Sequence, residues 1–291
     1  MQELSNRVAL VTGGASGIGL AIARSLAAAG MRVAIGDIDE TALERAAAEL
    51  RSEGATILPL ILDVGDAASW ARAAAEIEHS LGPVQVLCNN AGVGPGRSKV
   101  EDLSPEDWNW TLQINLTGVF LGTRTFVPRL VSGGLEGHVV NTASILGLFP
   151  TPFHAAYVTS KFAVVGLSEV MRMELAPKRI GVSVLCPGLV RTRLRANSLS
   201  RRPSRPEARP PVAVAAEPGP DRPLGIAPET VGPFVLSAIR DSRFYVITHP
   251  EYGGVIENRM QRLIDACATN REDGYIEDIA VLGGASLALR V

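Results

Sequence analysis

Short runs rich in Val, Ile and Leu alternate seven times with longer, alanine-rich stretches, and this alternation limits the fold more than any single motif. The expected pairs are 7–12 then 17–29, 32–36 then 40–53, 56–62 then 67–81, and 84–89 then 105–130. They continue with 138–142 then 155–176, 181–186 then 228–240, and 243–248 then 251–267. Strand followed by helix is the rhythm of parallel crossover units. The strand runs are continuously apolar rather than alternating, as expected when helices cover both faces of a sheet. We therefore expect an α/β protein with seven mainly parallel strands.

At 291 residues the chain has enough material for a sizeable core, in one large domain or two small ones. A formal net charge of −2 gives no global basic field to hold nucleic acid or an anionic membrane surface. The charge-free stretch 8–23 contains four glycines, so it reads as strand, turn and helix rather than a membrane segment. Cys88 and Cys186 sit inside apolar runs and Cys267 stands apart, a pattern of small buried hydrophobes in a reducing, cytoplasmic setting. No residue pattern calls for a metal.

The first turn reads Thr12-Gly13-Gly14-Ala15-Ser16-Gly17-Ile18-Gly19, directly after a strand and opening a helix. Backbone N–H groups and the helix N-terminus can face a pyrophosphate there, with glycine where a side chain would block approach. A purely structural tight turn is the alternative. Asp37 ends the second strand, where a carboxylate can accept from both hydroxyls of an adenosine ribose and repel a 2′-phosphate. With Gly-Ala-Ser at 14–16 and Ile38 next, no arginine stands ready for that phosphate, so NAD is expected over NADP. The competing role for Asp37 is a helix N-cap, although Asp39 suits it better.

Only three lysines occur in the chain, and Lys161 falls four residues after Tyr157, a coincidence with a chance of about 0.04 for four tyrosines. The spacing puts both on one helix face. An ammonium about 4 Å away, at an effective dielectric of about 20, favours a phenolate by roughly 4 kcal/mol before desolvation opposes it. Tyr157 is then a candidate general acid/base. Ser144 follows an apolar strand, where its hydroxyl can hold a reacting oxygen, or it is an ordinary turn serine. Asn115 lies in a helical run that it suits poorly, so a local kink with a bound water or a buried core asparagine is expected.

In order along the chain, the glycine turn 12–19, Asn89-Asn90-Ala91-Gly92, Asn115, Ser144, Tyr157-x-x-x-Lys161 and Pro187-Gly188 resemble the short-chain dehydrogenase/reductase family over about residues 5–250. The resemblance implies a doubly wound, Rossmann-type fold and a catalytic set of Asn115, Ser144, Tyr157 and Lys161. It implies NAD contacts from Gly13, Ser16, Gly17, Ile18, Gly19, Asp37, Ile38, Asp63, Val64, Asn90, Ala91, Gly92, Tyr157, Lys161, Pro187, Gly188, Val190 and Thr192. Family members commonly form dimers or tetramers, so a homo-oligomer is expected.

The run Ile145-Leu146-Gly147-Leu148-Phe149-Pro150-Thr151-Pro152-Phe153 lies between two catalytic positions and is mainly bulky and apolar. Ser144, Ile145, Leu146, Phe149, Phe153, His154, Leu189 and Leu194 are the expected substrate contacts, favouring a bulky aromatic or apolar secondary alcohol or ketone. Core packing is the alternative for each apolar side chain, and a solvent-facing loop for His154. The stretch 191–227 is rich in Pro and Arg and is expected to be a lid or insertion on a catalytic domain of residues 1–268, with 269–291 a C-terminal extension. The long lid, and the run from Phe244-Tyr245-Val246-Ile247-Thr248 through His249-Pro250-Glu251-Tyr252-Gly253-Gly254 into a further helix, resemble a subgroup that includes bacterial dehydrogenases of benzylic alcohols. The rival readings are an NADPH-dependent ketoreductase of acyl substrates and a non-catalytic nucleotide-binding scaffold.

Overall fold

The computed structural model describes residues 1–94, 96–203 and 224–269. Within the expected lid, 204–223 lie outside the described residues, as do 270–291 of the C-terminal extension. The strands are β1 (Val8–Thr12), β2 (Arg32–Asp37), β3 (Ile57–Ile61), β4 (Val84–Asn89), β5 (Gly137–Thr142), β6 (Ile180–Cys186) and β7 (Tyr245–Ile247). They form one sheet in the order β3-β2-β1-β4-β5-β6-β7, and every neighbouring pair is parallel. The expected α/β fold class is the observed one.

Burial explains the apolar runs. All five residues of β1 and all six of β5 are buried, whereas the edge strands β3 and β7 expose Ile61 and Tyr245. The edge also accommodates Pro59, which pairs with Ile35 but cannot donate to a ladder. One apolar cluster, around Leu10, Trp70, Phe126 and Val182, covers one side of the sheet. A second, around Val11, Ile22, Leu43, Val140 and Val235, covers the other.

Crossover helices α1 (Gly17–Ala28), α2 (Glu40–Ser52) and α3 (Ala67–Ser80) lie where expected, within a residue or so at each end. Asp39 caps α2 by accepting from the Ala42 N–H, and Asp66 caps α3 through Ala68 and Ser69. The long helical run expected at 105–130 is broken. It consists of α4 (Pro105–Leu112), a π-helical turn (Gln113–Thr117) and α5 (Gly118–Ser132), with α6 (Ala155–Leu175) following β5.

The insertion after β6 leaves and returns at one place: Val190 bridges Ile226, and the Ile226 N–H donates to the Leu189 carbonyl. Between them stands an eight-residue helix, α7 (Leu194–Arg201), which composition alone did not predict. The helix α8 (Val231–Asp241) leads to β7. The chain divides into two units after His249, and α9 (Gly253–Thr269) belongs to the second.

Candidate active site

The strand order reverses between β1 and β4, so their C-terminal ends open the crevice in which doubly wound sheets bind ligands. The glycine turn leaves β1 at this point. Gly13 and Gly17 adopt left-handed backbone conformations, and a Cβ at Gly19 would run into the Gly13 carbonyl oxygen. Ser16, at the N-cap of α1, makes no capping bond and the first turn holds no acidic residue, which leaves a bare helix N-terminus beside Ile18. Thr192 leans over Gly17, its Cγ2 3.0 Å from where a Cβ would stand.

Asp37 is not a helix cap. Its carboxylate accepts from the Ala15 N–H at 3.2 Å and the Asp39 N–H at 3.1 Å, which binds the end of β2 to the glycine turn. Ile38 beside it is half exposed. Asp63 accepts from the Gly65 N–H at 2.8 Å, and Val64 is buried.

A clamp that the motif reading overlooked joins the two strand ends. Thr12 Oγ1 accepts from the N–H groups of Asn90 and Ala91 at 2.9 and 3.0 Å and donates to the Cys88 carbonyl at 3.3 Å. Asn90 Nδ2 donates to the Thr12 carbonyl at 3.0 Å. Beneath them Asn89 Nδ2 donates to Asn141 Oδ1 at 2.9 Å, and Asn141 Nδ2 to Ser168 Oγ at 3.0 Å, a buried polar chain from β4 through β5 to α6. These side chains lie 27–79 residues apart in sequence, so local patterns give no hint of their pairing.

The break in the long helical run is at Asn115, which is completely buried. Its Oδ1 accepts from the Val93 N–H at 2.7 Å, while Nδ2 donates to the Val93 carbonyl at 3.1 Å and Ser160 Oγ at 3.2 Å. Ser160 Oγ in turn donates to the Tyr157 carbonyl at 2.7 Å. Gly92 lies against both Asn115 and Lys161: a Cβ there would stand 3.1 Å from Asn115 Oδ1 and 3.7 Å from Lys161 Nζ.

Ser144, Tyr157 and Lys161 are all buried. Lys161 Nζ donates to the Thr142 carbonyl at 2.9 Å and stands 5.7 Å from the centre of the Tyr157 ring. Burial pushes Lys161 down to about 8, against a smaller upward pull from Cys186. Burial raises the Tyr157 phenol, and its hydrogen bond with Ser144 works against that rise. In the polypeptide alone, desolvation therefore outweighs the phenolate stabilisation expected from the Tyr–Lys spacing.

Behind the site, the Gly188 N–H donates to Thr248 Oγ1 and His249 Nδ1, both at 3.2 Å, and the Pro187 carbonyl accepts from Ile145 at 2.9 Å. Among the expected substrate contacts, Phe153 and His154 line a narrow cleft together with Tyr157. Ile145 and Phe149 are buried, Leu146 is half-buried, and Leu189 and Leu194 face outward. His154 is half-buried at the N-cap of α6 and bonds Thr151 at 3.2 Å, rather than facing solvent from a loop. Phe153 holds φ at 68°, a left-handed conformation costly for a bulky residue and common where a site fixes its own geometry.

Sequence reasoning also missed Arg202, which bonds the buried Asp107 of α4 at 2.7 Å, and Ser198 of α7, which accepts from the Gly94 N–H at 2.6 Å.

A doubly wound sheet with a glycine turn at its switch point and a buried Ser, Tyr and Lys beside it defines an α/β protein of the dinucleotide-binding class. The sequence profile described as short chain dehydrogenase matches residues 7–203, and the chain belongs to the short-chain dehydrogenase/reductase family of oxidoreductases. A CLA biosynthesis dehydrogenase/reductase of Lactiplantibacillus plantarum is 32% identical, covering 91% of this chain and 95% of that protein. A C alpha-dehydrogenase of a Sphingobium species is 30% identical over 94% of this chain and 90% of its own. A Burkholderia phymatum short chain dehydrogenase/reductase, solved in complex with NAD, superposes with a TM-score of 0.82 at 33% identity, covering 96% of this chain and 100% of that one. Relatives of alcohol-dehydrogenase type support an enzyme acting on alcohols.

Proposed function

We propose that this protein oxidises a bulky secondary alcohol to the ketone, or the reverse, with NAD and with Tyr157 as general acid/base. The observation that carries the reading is the convergence of Ser144, Tyr157 and Lys161 beside the open glycine turn. The residues fit NAD: left-handed Gly13 and Gly17 with the bare N-terminus of α1 suit a pyrophosphate, Asp37 a ribose diol, and the half-exposed Ile38 an adenine face. When bound, NAD supplies the acceptor for the carbinol hydride.

The chain's own contribution is proton handling. Ser144 Oγ holds the substrate oxygen next to the phenol of Tyr157, which takes the hydroxyl proton during oxidation and returns it during reduction. Lys161 sets the charge at that phenol, and Asn115 fixes the 92–94 backbone against the Lys161 end of the site. The run from Phe149 to Phe153 supplies apolar bulk, which favours aromatic or aliphatic alcohols over small sugars. Buried free thiols at Cys88 and Cys186 suit a reducing cytoplasm, and we expect at least a homodimer.

The test is initial-rate kinetics on benzylic and aliphatic secondary alcohols with NAD and with NADP. We expect NAD to be preferred and Tyr157→Phe to lower kcat by at least a thousandfold while leaving NAD affinity within about threefold. Retained turnover in that variant would refute the role of Tyr157. A preference for NADP would overturn the Asp37 argument and turn attention to Arg201, which faces Asp39 at 3.3 Å near the end of β2.

A further inference from the structure

Arg202 is the shared wall of two neighbouring clefts. The first holds Tyr157, His154 and Phe153; the second, also narrow, holds Arg195, Trp110 and Leu199. The guanidinium of Arg202 packs so closely on the backbone of Gly96 that any Cβ there would collide with it. A third arginine, Arg97, lies 5.7 Å over the ring of Phe153. Both Arg97 and Arg195 are close enough to His154 for their charges to hold its imidazole below the ordinary range, after the larger effect of burial.

Asp107 is buried and bonded to Arg202 at 2.7 Å, and Glu101, nearby in the chain, is taken by Lys99 at 3.4 Å. Among the described residues, no carboxylate stands within ion-pair distance of Arg97 or Arg195. Among the described residues, Arg195 and Arg202 line these clefts and Arg97 lies beside Phe153, while the remaining walls mix Gly, Ser and Thr with Leu103, Trp110, Phe153 and Leu199. Arg97 and Arg195 are exposed, and guanidinium groups without a carboxylate partner among the described residues offer charge-assisted hydrogen bonds to an anionic ligand group.

We propose that the substrate is a bulky secondary alcohol or ketone that also carries a carboxylate, with its carbinol at Tyr157 and its carboxylate against Arg195 and Arg202 in the second cleft. Arg97 adds long-range attraction at the Phe153 side. The proposal rests on the alcohol-oxidising reading of the same site, and it adds a specificity element that the catalytic set does not require. Because Arg202 is already held by Asp107, Arg195 is the residue on which recognition turns.

The test compares, with NAD and the full chain, 1-aryl alcohols bearing a para carboxylate, directly or on a two-carbon arm, with their methyl esters. In parallel, calorimetry measures binding of the corresponding keto acids and keto esters. We expect kcat/KM for the better acid to exceed that of its ester at least tenfold, and Arg195→Gln to bring the ratio close to one. The ratio is internal to each variant, so a general loss of active protein does not mimic this result. Equal or better turnover of the esters, or a ratio untouched by Arg195→Gln and Arg97→Gln alike, overturns the carboxylate site. If no alcohol turns over but a keto acid binds at least tenfold tighter than its ester, and Arg195→Gln abolishes the difference, the carboxylate site stands and the alcohol reading falls. No turnover together with equal binding overturns both.

Discussion

Lys161 carries the largest conflict between stability and chemistry at the level of single residues. Its ammonium is buried, with the Thr142 carbonyl as its hydrogen-bond acceptor at 2.9 Å, and burial holds it at about 8. An unfolded lysine titrates near 10.4, so between these values the unfolded chain binds the extra proton and stability rises with pH. Below about pH 8 the native state bears the whole penalty, at most about 3 kcal/mol for a shift of this size. Lys161→Met is therefore expected to abolish turnover while stabilising the fold by about 1–3 kcal/mol at pH 7. That advantage shrinks toward zero as pH approaches 10.5. Urea unfolding of both proteins at pH 7 and pH 10 checks the sign; a variant no more stable at pH 7 would mean that the buried charge is solvated or paired.

Elements reveal a different division between what sequence tells and what it hides. Continuous apolar runs located every strand, because burial on both faces leaves a pattern that local reading detects. Tyr157, Lys161, Ser144 and the glycine turn were legible for a related reason: scarce residue types stood at chemically meaningful spacings. The π-helical turn was visible only as a suspected kink at Asn115, since what forces it is the bonding of that side chain to Val93 and Ser160, 22 and 45 residues away. Helix α7 and the Arg202–Asp107 pair were hidden in a segment whose composition is dominated by proline and arginine. The bonding of Asn115 at the turn yields a prediction for the element as a whole. Asn115→Ala strips the Val93 N–H of a buried acceptor and Ser160 of its donor, at a cost of about 2–4 kcal/mol. The melting temperature should fall by roughly 5–10 °C, and NAD affinity should fall with it, because the 90–94 backbone loses its brace. Thermal melts with and without NAD distinguish this from a purely catalytic loss, in which the melting temperature would be unchanged.

For the whole molecule, the decisive question is what covers the outer face of α5 and α6. Single exposed apolar side chains are ordinary, but Phe120 and Val131 on α5 and Val170 and Met173 on α6 are all between 38% and 47% exposed. The two helices adjoin, with Thr123 of α5 against Met171 of α6 at 3.8 Å. A second copy related by a two-fold axis buries such a face against itself. The helices are also the ones that carry the site, since the turn holding Asn115 runs directly into α5 and Tyr157 and Lys161 stand on α6. Association through this face would therefore brace the catalytic geometry from behind. Light scattering on the 30.7 kDa chain is expected to give a dimer mass or larger at micromolar concentration. Phe120→Asp combined with Val170→Asp is expected to give monomers with a lower melting temperature and kcat reduced several-fold. A wild-type monomer at that concentration would refute the interface. Monomers of the double variant with full kcat would separate assembly from catalysis and leave the brace to Asn115 alone.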